Sequence, residues 1–325
     1  MNPFASAKII GTGVNPAEYH KQSAQRGERD FIMSKSELME FDRCPHRWIM
    51  GYRGKETEAQ EWGSLLDCLV LTPDRFALDY AVTPLTYPVD GKKGEPPSEK
   101  PWNANSNWCK EWMKIQVGKI PIKAREKNLA DGAVKILAAH SDIRDLIAGS
   151  DTQVHVVADY KDRETGLMVR VKCLIDLVPK LASRSNALAD LKTCASAEPF
   201  DWSWAVFRNN YHVQSALYLD AYNAATNEER EDFLHIIQES FGPYETDLTL
   251  LSLAFVDLGR RKYLTALQRY CLCLAKNEWP GYEGDRYFGA RLVEPDAKMV
   301  SRDTHHSIAE LKPPTPQIES VDLMP

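Results

Sequence analysis

The sequence predicts a chain that mixes helix and strand, of the α/β (α+β) class, and three observations carry that expectation. Apolar residues recur with helical spacing up to about residue 147, the period then changes to two, and helical spacing returns after residue 200. With 325 residues, 43% of them hydrophobic, the chain is long enough to bury one sizeable core, so a single main domain with additions is expected.

Residues 1–30 are polar and lack periodicity, and are expected to form a flexible arm. Next, Ser34 or Ser36 suits the N-cap of a helix that buries Leu38, Phe41 and Trp48. Residues 61–70, EWGSLLDCLV, read as a second helix and place Asp67 among apolar neighbours. Pro, Gly, Lys, Asn and Ser crowd residues 84–107, which marks a long surface loop of the kind used as a lid or binding flap. Helical spacing resumes over 108–147, with Ile136, Leu137, Ile143, Leu146 and Ile147 as core candidates.

A first strand is expected over 153–160, followed by the turn KDRETG ending in Gly166 and a second strand over 167–178. Alternation sets Val169, Val171, Cys173, Ile175 and Leu177 on one face, and Arg170, Lys172, Leu174 and Asp176 on the other. A third strand over 187–193 puts Asp190 and Lys192 side by side. In the helix expected over 204–225, Gln214 and Tyr218 are four apart and share a face. A strand over 248–258 and a helix over 262–275 complete a domain spanning 31–288, and residues 289–325 read as a loosely ordered tail.

Composition excludes several classes. The formal charge of -6 is not that of a wholly basic nucleic-acid-binding domain, so any such contact must come from a local basic surface. Seven cysteines, at 44, 68, 109, 173, 194, 271 and 273, show no disulfide-framework spacing and no CxxC pair, and read as reduced thiols. With no run of 18 apolar residues and no secretion signal at its start, the chain is expected to be soluble and intracellular.

Asp176, Asp190 and Lys192 suit phosphodiester hydrolysis. Two aspartates, the Leu191 carbonyl and a phosphate oxygen make a sensible cage for magnesium, which prefers oxygen ligands. Lys192 is placed to orient or deprotonate water and to stabilise developing charge. Gln214 and Tyr218 are candidates to position DNA or the lysine. Arg170, Lys172 and Arg208 are candidate DNA contacts, with Arg260, Arg261 and Lys262 as further phosphate candidates. Each residue also has an ordinary reading. Asp190 with Lys192, and Arg170 with Lys172, are common exposed strand residues; Asp67 suits the polar side of an amphipathic helix; Gln214 and Tyr218 suit a surface hydrogen-bonding pair. His140, His212, His305 and His306 lack zinc spacing. The tryptophans at 102, 108, 112, 202 and 204 suit base stacking or core packing.

The pattern Asp176, then Asp190-Leu191-Lys192, then Gln214 and Tyr218 on a helix resembles the PD-(D/E)xK nuclease superfamily. Within it, GSLLDCLVLTPDRF, RETGLMVRVKCLIDLVP, YHVQSALYLDAY and NEWPGY resemble the RecE branch, the nuclease domain of exodeoxyribonuclease VIII, over about residues 34–282. The resemblance implies a central mixed sheet flanked by helices. It implies catalytic Asp176, Asp190, Lys192, Gln214 and Tyr218, and magnesium held by Asp67, Asp176, Asp190 and Leu191, with manganese able to substitute.

It further implies processive 5' to 3' digestion of one strand from double-stranded DNA ends, in recombination or repair. A homo-oligomeric ring, a single-strand annealing partner, phage or prophage origin and action in the bacterial cytoplasm complete the expectation. Two positions depart from the family: Asp67 stands where His is usual, and Gln153 where Glu is often found. Cys44 in RCPHRW is similar to nucleases of the superfamily that carry an iron–sulfur cluster, but the further cysteines are not spaced for one. Two other functions remain open: a structure-specific or single-strand endonuclease of the same fold, and a DNA-binding protein without catalysis.

Overall fold

The computed structural model describes residues 2–22, 24–52, 54, 55, 57–90, 98–282, 286, 287, 290 and 291. Two units are present, Met1–Gly281 and Tyr282–Pro325. The first opens with β1 (Phe4–Gly11) and α1 (Pro16–His20) in place of the flexible arm expected over 1–30. Most β1 side chains stay partly or fully exposed, and main-chain pairing to the sheet holds the strand, so side-chain periodicity carried no sign of it.

β2 (Ile32–Ser34) runs into α2 (Lys35–Arg43), capped by Ser34, whose hydroxyl accepts from the Glu37 N–H at 3.2 Å. Cys44 separates it from α3 (Pro45–Ile49), and Leu38, Phe41 and Trp48 are buried as expected. α4 (Glu58–Leu71) starts at a capping box of Thr57 and Gln60 and carries Asp67. α5 (Phe76–Asp79) leads to β3 (Tyr80–Thr83). The loop expected over 84–107 holds a small antiparallel ribbon, β4 (Thr86–Val89) with β5 (Ser98–Pro101); residues 91–97 lie outside the described residues.

α6 (Asn107–Ile115), β6 (Ile120–Lys123), α7 (Ala124–Ala139) and α8 (Ser141–Ala148) replace the continuous helical stretch expected over 108–147. Leu137, Ile143 and Leu146 are buried there, whereas Ile136 is 41% exposed. β7 (Ser150–Lys161), β8 (Met168–Pro179) and β9 (Ala187–Cys194) follow close to their expected positions. The single helix expected over 204–225 is two, α9 (Pro199–Arg208) and α10 (Tyr211–Thr226), parted at Asn210, whose φ of 56° is left-handed.

β10 (Asp232–Glu239) was not foreseen: its buried run FLHIIQ gives no alternation. The strand expected over 248–258 stops early. β11 (Thr246–Leu250) ends, Ser252 caps, and α11 (Leu253–Lys276) begins within the same apolar run. In the second unit, β12 (Arg286–Tyr287) pairs antiparallel with β13 (Ala290–Arg291); the rest of the expected tail, with His305 and His306, lies outside the described residues.

The central sheet is mixed, in the order β1-β7-β8-β9-β10-β11, with β2 parallel to the start of β8. β9 and β10 run parallel over eight residue pairs, Ala187 facing Asp232 through Cys194 facing Glu239; the other neighbours on the path are antiparallel. Val154, Val156, Val171, Cys173, Leu188 and Phe233 form one core with α2, α10 and α11. Ala189, Leu191, Leu234 and Ile236 form a second with Leu137, Ile143 and Leu146 of α7 and α8. The sheet is thus covered on both faces, as a mixed sheet flanked by helices requires.

Candidate active site

Asp176 and Asp190 come together because β8 and β9 are neighbours that meet at Leu177 and Ala189. The Leu191 amide donates to Asp176 Oδ2 at 3.0 Å, and Gln214, reaching from α10, donates to Asp190 Oδ1 at 2.6 Å. Lys192 forms an ion pair with Asp190 Oδ2, an oxygen with no other hydrogen-bond donor, and its ammonium stands 3.2 Å from the Leu191 carbonyl. Asp190 is 1% exposed, so it is far from the solvated strand residue of the ordinary reading.

α4 closes the site from the side. A Cβ on Gly63 would stand 3.2 Å from Thr193 Oγ1, so the helix lies close to β9, and Asp67, four residues on, falls within electrostatic reach of Lys192 and Asp190. Burial pushes the Asp67 carboxyl up to about 7, with Lys192 opposing and Asp190 adding to the rise. Burial, and then repulsion from Asp190, holds the Asp176 carboxyl well above the usual range. For Lys192, burial works against the charge, but Asp190 and Asp176 outweigh it and keep the ammonium protonated.

Gln153 marks a local strain in this centre. Its φ of 51° is left-handed, a conformation unusual for a residue with a Cβ. It interrupts the pairing of β7 with β8 and brings its amide to 3.4 Å from Asp176 Oδ1. Its other amide atom, Oε1, is buried without a partner.

Several residues were not visible from sequence. His235 is paired in register with Asp190, is 1% exposed, and has neither ring nitrogen hydrogen-bonded. Burial lowers it to about 4, with Asp190 opposing and Lys192 and Lys35 assisting, so it is neutral near pH 7. The Tyr211 ring has two ammonium groups near it, Lys192 at 5.4 Å and Lys35 at 5.6 Å from its centre. Burial and then Lys192 hold Lys35 down at about 8. An approach of Lys35 to Lys192, 157 positions apart, has no signal in one sequence.

Other candidates fall elsewhere. Tyr218 is buried in the first core within electrostatic range of Asp190 and Asp176. Lys172 is not an available DNA contact, because its ammonium is buried under α1, donating to the Tyr19 carbonyl at 2.6 Å and the Lys21 carbonyl at 3.2 Å. Arg170 is exposed and pairs with Asp159, six residues and so about 20 Å from Asp176 along the strand. Arg208 is exposed at the end of α9, and Arg261 on α11. Arg260 is committed to Asp220 through two hydrogen bonds. His212 is buried, with Nδ1 3.1 Å from the Val206 carbonyl; His140 joins α7 to α8. Cys44, Cys271 and Cys273 are buried free thiols.

As for a metal, no three His, Cys, Asp or Glu side chains among the described residues stand in a preformed ligand set. The donor chemistry nevertheless fits a hard divalent ion. Asp67, Asp176 and Asp190 supply carboxylate oxygens and Leu191 a carbonyl, and Asp190 and Asp67 both repel the Asp176 carboxylate, a repulsion that a cation among them would relieve.

A mixed sheet with an aspartate on one strand, Asp-x-Lys on the next and Gln214 behind them defines a domain of the PD-(D/E)xK type. Residues 34–287 match the model of the PDDEXK-like domain of unknown function (DUF3799), and the chain belongs to that family. This agrees with the resemblance to a RecE-like nuclease domain drawn from the sequence. The structure is similar to that of a "Putative exonuclease" from Eubacterium rectale, with a TM-score of 0.53 and 15% identity, covering 90% of this chain and 98% of that one. At that identity the similarity speaks to the fold. SSO0001 aligns with a TM-score of 0.29 at 12% identity, over 77% of this chain and 86% of its own, which is too weak to carry an argument. No curated relative matches the sequence. Among the described residues, no helix is long and apolar enough to cross a membrane.

Proposed function

We propose that this chain is a magnesium-dependent exodeoxyribonuclease that degrades one strand of linear double-stranded DNA, 5' to 3', in recombination or repair. One observation carries the reading: Asp176, Asp190 and Lys192, with Leu191 between the last two, are assembled at one place, buried and held by the Leu191 amide and the Gln214 side chain. Asp67, Asp176, Asp190 and the Leu191 carbonyl would hold the ion. When bound, magnesium supplies neutralisation of phosphate charge and a water acidic enough to attack at neutral pH.

The protein's own groups do the rest. Gln214 fixes the rotamer of Asp190, leaving Oδ2 directed at Lys192. The Leu191 N–H orients Asp176 in the same way. Lys192 keeps its proton beside the two carboxylates, so it serves first as a positive group that orients the attacking water and stabilises charge on the phosphate. A single-strand annealing partner, a homo-oligomeric ring, substitution by manganese and a place in the bacterial or phage-infected cytoplasm belong to the same proposal.

The test is digestion of end-labelled linear and closed circular duplex DNA, with magnesium or EDTA, by the wild type and Lys192→Ala. Loss of the linear substrate alone, dependent on magnesium and absent in the variant, supports the exonuclease reading, and the label shows which end is attacked. Cutting of the circle indicates an endonuclease of the same fold. A retained gel shift with no cutting in any lane leaves a DNA-binding protein without catalysis.

A further inference from the structure

Beside the candidate centre, the turn joining α9 to α10 gathers cations that form no ion pair among the described residues. Lys35 donates to the Asn209 carbonyl at 3.0 Å, and Lys262, from α11, donates to Asn210 Oδ1 at 2.8 Å. Neither ammonium has a carboxylate partner among the described residues, in contrast to Lys192, which is paired with Asp190. Neutral oxygens hold both lysines in place without neutralising them, which is the arrangement of a site that receives an anion. Lys35 shares the Tyr211 ring with Lys192, so this positive ledge is continuous with the centre.

The outer face of α9 continues from the ledge. Phe200, Trp204 and Phe207 fall at spacings of four and three on one side of the helix, 66%, 39% and 51% exposed, while Trp202 and Val206 take the buried side. Adjacent rings in this file are 6.3 Å apart in edge-to-face pairs. Phe207 also stacks on His212 at 5.6 Å, and His212 lies in the field of both Lys262 and Lys35, which fixes this end of the file next to the lysines. Exposed rings of this size in file cost hydration free energy unless something covers them. Unpaired cations against an exposed aromatic file match a nucleic-acid strand, which offers phosphates to one and base faces to the other. The centre of a protein partner's interface is depleted in charge and fits less well.

We propose that Lys35, Lys262 and the outer face of α9 form a track for a single-stranded segment of nucleic acid beside the candidate centre. The lysines take backbone phosphates, and Phe200 and Phe207 stack on bases. This rests on the nuclease reading and adds to it a path for one separated strand.

The experiment is fluorescence anisotropy of labelled oligothymidylate with the full chain, in EDTA, across a salt series, beside DNA digestion in magnesium by the same proteins. Phe200→Ala with Phe207→Ala is expected to weaken binding roughly tenfold or more. Lys35→Ala and Lys262→Ala are each expected to reduce the slope of log affinity against log salt by about 0.7. Lys35→Gln and Lys262→Gln, with unchanged thermal melting, stand in should an alanine variant fail to fold. Affinities and slopes equal to those of the wild type, in an enzyme that still cuts DNA, overturn the track alone. A wild type that neither binds oligothymidylate nor cuts DNA overturns the track and the nuclease reading together.

Discussion

Gly259→Ala perturbs the place where the helix that carries Gln214 is seated. A Cβ on Gly259 of α11 would stand 2.0 Å from the His212 carbonyl oxygen and 2.9 Å from the Val213 nitrogen, both in the first turn of α10. Ordinary contact begins near 3.4 Å, so the two helices must part by about 1.4 Å, and the neighbouring atoms are backbone that cannot swing aside. Overpacking of that kind costs roughly 3 kcal/mol or more, and the better helix propensity of alanine offsets about 1 kcal/mol. A net loss of about 2 kcal/mol corresponds to a melting temperature lowered by roughly 4–8 °C for a unit of this size.

Activity should fall as well. Gln214 is two residues from His212 and holds Asp190 at 2.6 Å, and a displacement of about 1 Å at such a group costs on the order of a hundredfold in rate. The assays are thermal melting by circular dichroism and the DNA digestion described above. Gly132→Ala is the control: it lies within α7 with nothing within 4 Å of a Cβ, so it should be neutral or gain up to about 1 kcal/mol. A Gly259→Ala protein that melts at or above the wild-type temperature would refute the argument.

Gln214→Leu should retain the fold but weaken the response to magnesium by roughly 10- to 100-fold, read from metal titrations of cleavage; an unchanged midpoint would mean that the amide does not orient Asp190. Gln153→Glu restores a carboxylate beside Asp176 and should lower the magnesium concentration needed for half-maximal cleavage, with no change or a rise counting against a ligand at that position. Lys172→Met should lower stability, by about 1–3 kcal/mol in denaturant unfolding, and leave DNA affinity in place, since the ammonium serves two buried carbonyls. His235 is lowered to about 4 in the fold against about 6.5 in the unfolded chain, so its contribution is complete above pH 6.5 and is lost as the pH falls toward 4. The difference in unfolding free energy between wild type and His235→Leu should therefore change by on the order of 3 kcal/mol across that window, and a constant difference would rule the histidine out as the cause.

What the sequence revealed follows from which interactions leave a period. β7, β8 and β9 each keep an apolar face buried, so alternation revealed the strands, although Leu177, expected on one face with Ile175, packs in the other core, and Ser34 capped where a serine before an apolar-periodic run should. β1 is held by main-chain bonds to β7, and the uniformly buried β10 has no polar side, so neither produced a pattern. The apolar run at 248–258 hid a strand end, a serine cap and a helix start, because hydrophobicity alone does not tell one from the other. Lys172 shares its strand face with Asp176, and only the placement of α1 decides that it is covered. Tyr211, Lys35 and His235 reach the centre through long-range packing, which no local spacing encodes.

β9 meets β8 at a single residue pair but runs beside β10 over eight. During synthesis, the strand that bears Asp190 and Lys192 is therefore finished well before the strand that aligns it. At roughly 5–20 residues per second, the ribosome takes about 2–9 s to pass from Cys194 to Glu239. Throughout that interval the nascent chain contains Asp67, Asp176, Asp190 and Lys192, yet the parallel neighbour beside which β9 runs for its whole length has not been made. A truncation after Thr226 would hold the molecule in that condition, with Gln214 also present and the strand that bears Asp190 and Lys192 left with an open edge.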